Sequence, residues 1–339
     1  MQQENDYIIP EDWKAHVSVS FRRIYISPAS GCSVNCGYCF IFEYGHPRKP
    51  ILFTATGLEL ITWLKKQKGF TKGRNGTLIS ISPSTEPFLT DSITEKTLEI
   101  IGALSVLENP IQISTKKAPS FTLLTKISAL QKLEGQITIF FTITSITNWK
   151  MLEPGADPPH KRFESMTLAK QSGINTCLYM KPVIPGITDV DMDEFVEKIK
   201  HHNIDCVVVG TMYISNQIEK EIEKRKLSTT ETKSYFINKG RVPPPAHTED
   251  DKLLAVQISD FTYVREIVEY LKKYSTATIL INGPCAVALF YKTLSPTGIW
   301  LYRPELCVNC SAKCPTVFAI APKDIKELYP QKNNPLPQN

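Results

Sequence analysis

The chain has 339 residues, and its 39 Lys and Arg against 34 Asp and Glu leave a formal net charge of only +5. That length predicts one large or two ordinary domains with ample core, and the near balance of charge excludes a strongly basic nucleic-acid-binding arm. With 42% hydrophobic and 22% charged residues the chain reads as globular rather than disordered, and no apolar run approaches the roughly 20 residues that span a bilayer. The opening stretch, MQQENDYIIPEDWK, is acidic and polar and does not read as a secretory signal, so a cytoplasmic protein without a membrane partner is expected.

In chain order, residues 1–20 form a polar lead, and FRRIYIS (21–27) reads as a strand running into a cysteine-rich loop. Residues 56–68 carry apolar residues at helical spacing, and TLISIS (77–82) is a strand. A helix is predicted over 92–107, with Ser92 as N-cap and Glu95 three residues on. IQIST (111–115) is a strand, 120–133 a helix, QITIFFTIT (136–144) a buried strand, and 160–173 a helix ended by Gly173. NTCLYM begins a strand and its loop (175–186), 189–202 is a helix, and DCVVVGTMYI (205–214) is the sixth strand. Short β-branched runs alternating with amphipathic helices imply parallel βαβ units. The fold class is therefore α/β, a partial (β/α)6 TIM-type barrel over 21–236, with its chemistry at the C-terminal ends of the strands. A flat doubly wound sheet is the alternative, but no G-x-G-x-x-G turn follows the first strand. Beyond it, 217–226 reads as a charged, solvated helix face, and 237–259 as a Pro-rich linker. A C-terminal extension over 260–330 and a frayed tail at 331–339 complete the chain.

Nine cysteines are an odd count that suits a disulfide framework poorly. Six fall in two compact clusters, Cys32, Cys36 and Cys39 in GCSVNCGYCF, and Cys307, Cys310 and Cys314 in LCVNCSAKCP. Thiolates at two- and three-residue spacing converge on one centre when the backbone loops, and the natural centres are zinc or an iron–sulfur cluster. Cys177 and Cys206 lie in apolar runs and read as small core hydrophobes.

The first cluster, C-x-x-x-C-x-x-C with Tyr38 before its last Cys, resembles the signature of the radical S-adenosylmethionine enzymes. Three protein thiolates leave one iron of a 4Fe–4S cluster open to an exogenous ligand. The resemblance implies S-adenosylmethionine on that iron, reductive cleavage to a 5′-deoxyadenosyl radical, and hydrogen abstraction from a substrate. It also implies a one-electron donor such as flavodoxin or ferredoxin. The alternative is a structural zinc loop with His46 as fourth ligand.

LEPGADPPHKRFESMTLAKQSGINTCLYMKPVIPGITD (152–189) resembles the matching stretch of the spore photoproduct lyase-like branch, as do ISPSTEP (81–87), ISTK (113–116) and TITSIT (142–147). The similarity covers about residues 21–215. By position, it implies that Ser84, Thr85 and Glu86 approach the methionyl amine, and Thr144 or Ser145 the ribose or methionyl group. Lys181 then pairs with the methionyl carboxylate, while Ile184 packs on the adenine; Tyr38, Lys116 and Met212 complete the cofactor site. Glu153 reads as a cap for the helix near His160, or as a turn end, rather than as a base.

The second cluster, followed by Pro315, has spacing suited to an auxiliary 4Fe–4S cluster with Cys285 as fourth ligand; a zinc knuckle is the alternative. Three functions stay open. The first is a radical enzyme acting on a small molecule, peptide or nucleoside. The second is a nucleic-acid repair enzyme of the photoproduct lyase type, weakly supported by basic pairs such as Arg22 and Arg23. The third is a non-enzymatic zinc protein.

Overall fold

Most of the described parallel strands carry two kinds of face. In Ile79, Ile81, Ile111, Ile113, Ile137, Ile139 and Phe141 one face is wholly aliphatic or aromatic and buried. The alternate residues include Arg23, Ser80, Gln112 and Thr138. Such a strand packs its crossover helices against the aliphatic face. A computed structural model shows this arrangement, and it describes residues 7–20, 23–232, 256–257 and 262–293.

The first elements are β1 (Val17–Ser20), β2 (Arg23–Ile26), β3 (Ala29–Ser30), β4 (Ile51–Leu52) and α1 (Gly57–Lys65). Next come β5 (Leu78–Ile81), α2 (Asp91–Ser105), β6 (Ile111–Thr115), α3 (Phe121–Leu130) and β7 (Ile137–Thr142). They are followed by α4 (Trp149–Leu152), α5 (Pro159–Gln171), β8 (Asn175–Met180), α6 (Met192–His201) and β9 (Cys206–Val209). The last are β10 (Tyr213–Ile214), α7 (Asn216–Lys224), β11 (Val256–Gln257), α8 (Thr262–Tyr274), β12 (Thr278–Leu280) and α9 (Gly283–Tyr291).

The main sheet has eight strands in the order β1-β2-β5-β6-β7-β8-β9-β12. From β2 to β12 every neighbouring pair is parallel, whereas β1 runs antiparallel to β2. Buried residues of α1, α2, α3, α5, α6 and α8 join one cluster with the aliphatic strand face. Helix α9 lies on the other face, where Ala286 and Val287 pack with Leu78, Phe140, Cys177, Cys206, Val208 and Leu280. Because the helices that connect successive parallel strands all lie on one face, with α9 added after β12 on the other, the winding is barrel-type rather than doubly wound. Cys177 and Cys206 are fully buried neighbours in this second cluster, as expected of core thiols.

Several boundaries differ from the expectation. The lead contributes β1, because Val17 and Val19 bury one side of a strand paired Val17↔Ile26 and Val19↔Ile24. The sixth strand breaks at Gly210, where an added Cβ would stand 2.7 Å from the Lys181 stem, and its remainder pairs with β11 from the expected linker. The described part of the extension adds a seventh parallel strand, β12, beside β9. Helix α7 is not merely solvated: Ile218 and Ile222, one turn apart, are buried. Ser92 does not cap α2; Thr90 does, accepting from Ile93 N at 3.3 Å, because the helix starts two residues earlier than a Ser92 cap implies. Among the described residues no helix is long and apolar enough to cross a membrane.

A reciprocal capping box starts α1 instead. Thr56 Oγ1 accepts from Glu59 N at 3.2 Å, and Glu59 Oε2 accepts from Thr56 N at 2.7 Å. Thr56→Ala is expected to cost about 1 kcal/mol in a denaturant melt. An unchanged midpoint would mean that α1 is held by its core face, Leu60 and Leu64, alone.

Candidate active site at the cysteine loop

Strand β2 ends at Ile26, and the chain enters the cysteine loop through the short pair β3–β4, registered Ala29↔Leu52 and Ser30↔Ile51. Gly31 turns the chain at φ 90°, with no room for a side chain, since a Cβ would fall 2.0 Å from Pro47 O. The Cys32 amide donates to the same carbonyl at 3.1 Å. Asn35 takes the left-handed conformation at φ 59°, and the Cys39 amide donates to Cys36 O at 3.2 Å. The loop closes through a 3-10 helix at Ile41–Tyr44 capped by Gly45 at φ 77°.

Two outside segments hold this loop. Gly37 N donates to Leu152 O at 2.8 Å and Gly155 N donates to Val34 O at 3.0 Å, so the backbone of Leu152–Gly155 is tied to the loop at two points. From the end of α7, the Arg225 guanidinium donates to Met151 O at 2.8 Å and to Asn35 O at 3.0 Å. Arg225, which sequence reading passed over as part of a charged run, thus bridges both segments.

The three thiols are half-buried and carry no disulfide. Burial raises the pKa of each: Cys32 is pushed up to about 11, against a lowering contribution from the Val34 amide, and Cys36 and Cys39 rise as well. The Lys116 ammonium works in the opposite direction on all three. Burial opposes the charge of Lys116 too, but the negative charge of Cys36, Glu153, Glu86 and Cys39 outweighs it and pushes the amine up to about 12. Buried thiols of this kind become thiolates when a metal centre displaces their protons. A single ion bound through His46 is less well served. His46 Nδ1 meets Ser30 Oγ at 2.9 Å, and among the described residues no three His, Cys, Asp or Glu side chains converge closely enough to share one ion. Irons spread over a cluster do not need that convergence.

The other expected site residues divide into two groups. Tyr38, Ile184 and Met212 come together in one apolar cluster with Leu152, Ile218 and Ile222, against which Cys36 packs. Lys116 Nζ lies 5.6 Å from the centre of the Tyr38 ring. Thr144 is buried beneath and donates to Tyr38 Oη at 3.3 Å. At the end of β5, Thr85 Oγ1 and Ser82 Oγ are buried with no hydrogen-bond partner among the described residues, and Ser82 is held at φ 67°. Orphaned hydroxyls beside a thiol loop fit the polar groups of a bound cofactor.

The second group makes contacts within the protein. Ser84 Oγ pairs with Ser27 Oγ at 2.8 Å. Glu86 accepts from Thr115 Oγ1 at 2.5 Å and Lys116 N at 2.7 Å. Ser145 Oγ donates to Asp191 Oδ2 at 2.6 Å, and Asp191 also gathers the Ile146 and Thr147 amides. Lys181 lays its stem over Gly210. Cys285 lies in the first turn of α9, half-buried at the edge of the cluster on the α9 face of the sheet. Cys307, Cys310 and Cys314 lie outside the described residues.

Glu153 does not cap α5; it ends α4, its amide donating to Trp149 O at 2.6 Å. Helix α5 begins at Pro159 without a side-chain cap, whereas Glu153 is fully buried against Arg162, its Oε2 2.8 Å from Nη1. The L-E-P string pointed to this position but not to its partner.

A thiol loop at the C-terminal end of the first parallel strand of a barrel-type sheet stands where such folds place their chemistry. The Radical SAM superfamily model matches residues 26–199, and the chain belongs to that superfamily of enzymes, whose members carry a 4Fe–4S cluster and S-adenosylmethionine. Solved structures of spore photoproduct lyase share the fold. A cysteine-to-serine variant of that enzyme superposes with a TM-score of 0.58 at 12% identity, over 75% of this chain and 74% of its own. A double variant with bound AdoMet and dinucleoside spore photoproduct gives 0.57 at 12% identity, over 76% and 75%. No curated protein matches.

Proposed function

We propose that Cys32, Cys36 and Cys39 hold a 4Fe–4S cluster with one open iron, and that the chain uses S-adenosylmethionine there to abstract hydrogen from an organic substrate. The observation that carries this reading is the half-buried three-thiol loop, clamped by backbone on both sides, with Lys116 beside it. When bound, the cluster supplies one electron to the sulfonium cofactor and so a carbon-centred radical. Lys116 balances the negative charge of the thiolates. Thr85 and Ser82 offer hydroxyls to the cofactor's polar end, and Ile184 and Met212 an apolar wall for its base. Tyr38 and Thr144 close the floor beneath the loop. The substrate is a small molecule, a peptide or a nucleoside. The electron comes from a small acidic carrier such as flavodoxin or ferredoxin. A surface cavity of about 450 Å3 lined by Cys32, Ser33, Asn35, Arg48, Glu221 and Lys224, two cations against one carboxylate, supports that approach. Anaerobic reconstitution followed by incubation with dithionite and S-adenosylmethionine tests the reading. Deoxyadenosine is expected, and zinc in place of iron would end it.

Cys285, Cys307, Cys310 and Cys314 are proposed to hold a second, auxiliary 4Fe–4S cluster. Cys310→Ala should then remove about half of roughly eight irons per chain. Full iron retention would dismiss the second cluster.

A further inference from the structure

The Glu153–Arg162 pair is the one fully buried ion pair among the described residues, with both side chains at 0% exposure. Burying two charges costs several kcal/mol per ion in order of magnitude, and an apolar pair of similar volume often does as well or better for stability. The guanidinium is not there for the sum of its bonds either. Its Nη1 reaches Glu153 and the Thr142 carbonyl, but Nε and Nη2 find no partner among the described residues. What the pair does reach is the cysteine loop. The Tyr38 hydroxyl donates to Glu153 Oε1, and Thr144 Oγ1 stands 3.5 Å from the same oxygen. Glu153 also lies between Leu152 and Gly155, the two residues whose backbones tie Gly37 and Val34. Tyr38 itself sits between Cys36 and Cys39. The carboxylate therefore grips the loop by side chain at the point where the backbone already holds it, and Arg162 anchors that grip to α5 and to the end of β7.

We propose that Glu153 and Arg162 are a positioning pair, which through Tyr38 sets the placement of Cys36 and Cys39 and keeps the field at their cluster neutral. This rests on the reading of the loop as a cluster site. The two halves of the pair carry opposite charge next to one redox centre, so removing either has a sign. Glu153→Gln leaves Arg162 uncompensated, and a nearby positive charge favours the reduced cluster. Arg162→Met leaves the carboxylate uncompensated and favours the oxidised one. A merely structural loosening of the loop has no such antisymmetry.

The test is a redox titration of the reconstituted full-length protein followed by electron paramagnetic resonance, with iron and sulfide counted first. E153Q is expected to raise the midpoint potential and R162M to lower it, and the E153Q/R162M double variant to return it toward the wild-type value. Tyr38→Phe changes no charge, so it should shift the g-values of the reduced cluster while moving the potential less than either charge variant. Potentials that move in the same direction in both single variants, or do not move, overturn the proposal. Should a single variant lose its iron, the double variant decides: recovery of iron and potential supports the pair, and failure to recover overturns it. A wild-type protein that takes up no iron and sulfide would instead overturn the cluster reading itself, a result distinct from all of these.

Discussion

Cys36→Ala is expected to abolish deoxyadenosine formation and to remove the radical cluster, while leaving the fold in place. Cys36 is the central thiol of the loop, packed against the cluster of Tyr38, Ile184 and Met212 and flanked by the Gly37 tie to Leu152. An alanine there fills less volume but breaks none of the backbone bonds that hold the loop. Circular dichroism should therefore be unchanged. With two thiolates left, a cluster loses its anchorage, and the electron path to the sulfonium goes with it. Deoxyadenosine at the wild-type rate in this variant would remove Cys36 from the ligand set.

Gly31→Ala should have nearly as large an effect by a different route. The position needs φ 90°, which costs an L-residue roughly 1–2 kcal/mol. It also leaves 2.0 Å between the added Cβ and Pro47 O, which no rotamer can relieve because the obstacle is backbone. The loop must move, and Cys32, whose amide donates to that same carbonyl, moves with it. Loss of iron uptake and a lower melting temperature are expected. Gly73 supplies the control, since it has φ 99° and nothing within 4 Å of an added Cβ. Gly73→Ala should cost about 1 kcal/mol and leave iron uptake intact. Equal iron uptake in the two variants would show that the close approach at Gly31 does not shape the site.

Much of the fold was legible in the order of residues. Ile79-Ser80-Ile81 and Ile137-Thr138-Ile139 show the period of two directly, and the intervening helices repeat it at helical spacing. The seventh strand was not legible, because Thr278–Leu280 is only three residues long and acquires its identity from pairing with Cys206–Val208. The buried face of α7 was available in the spacing of Ile218 and Ile222 but was outweighed by the charges around it. Ser145 stands at a strand end as expected, but its hydrogen bond to Asp191, 46 residues on, has no local signal in the sequence.

The candidate site divides in the same way. Cys32, Cys36 and Cys39 stand out as candidate ligands by spacing alone, since three thiols within eight residues share one loop whatever surrounds it. Tyr38 and Glu153 are 115 positions apart, and nothing local marks them as partners. Their contact, the anchoring of Glu153 by Arg162 and the clamp from Arg225 exist only once β7, α5 and α7 are packed around the loop. Chemistry carried by neighbours in the chain can be read from the chain, whereas the buried charges that orient it depend on long-range packing, which composition and periodicity do not encode.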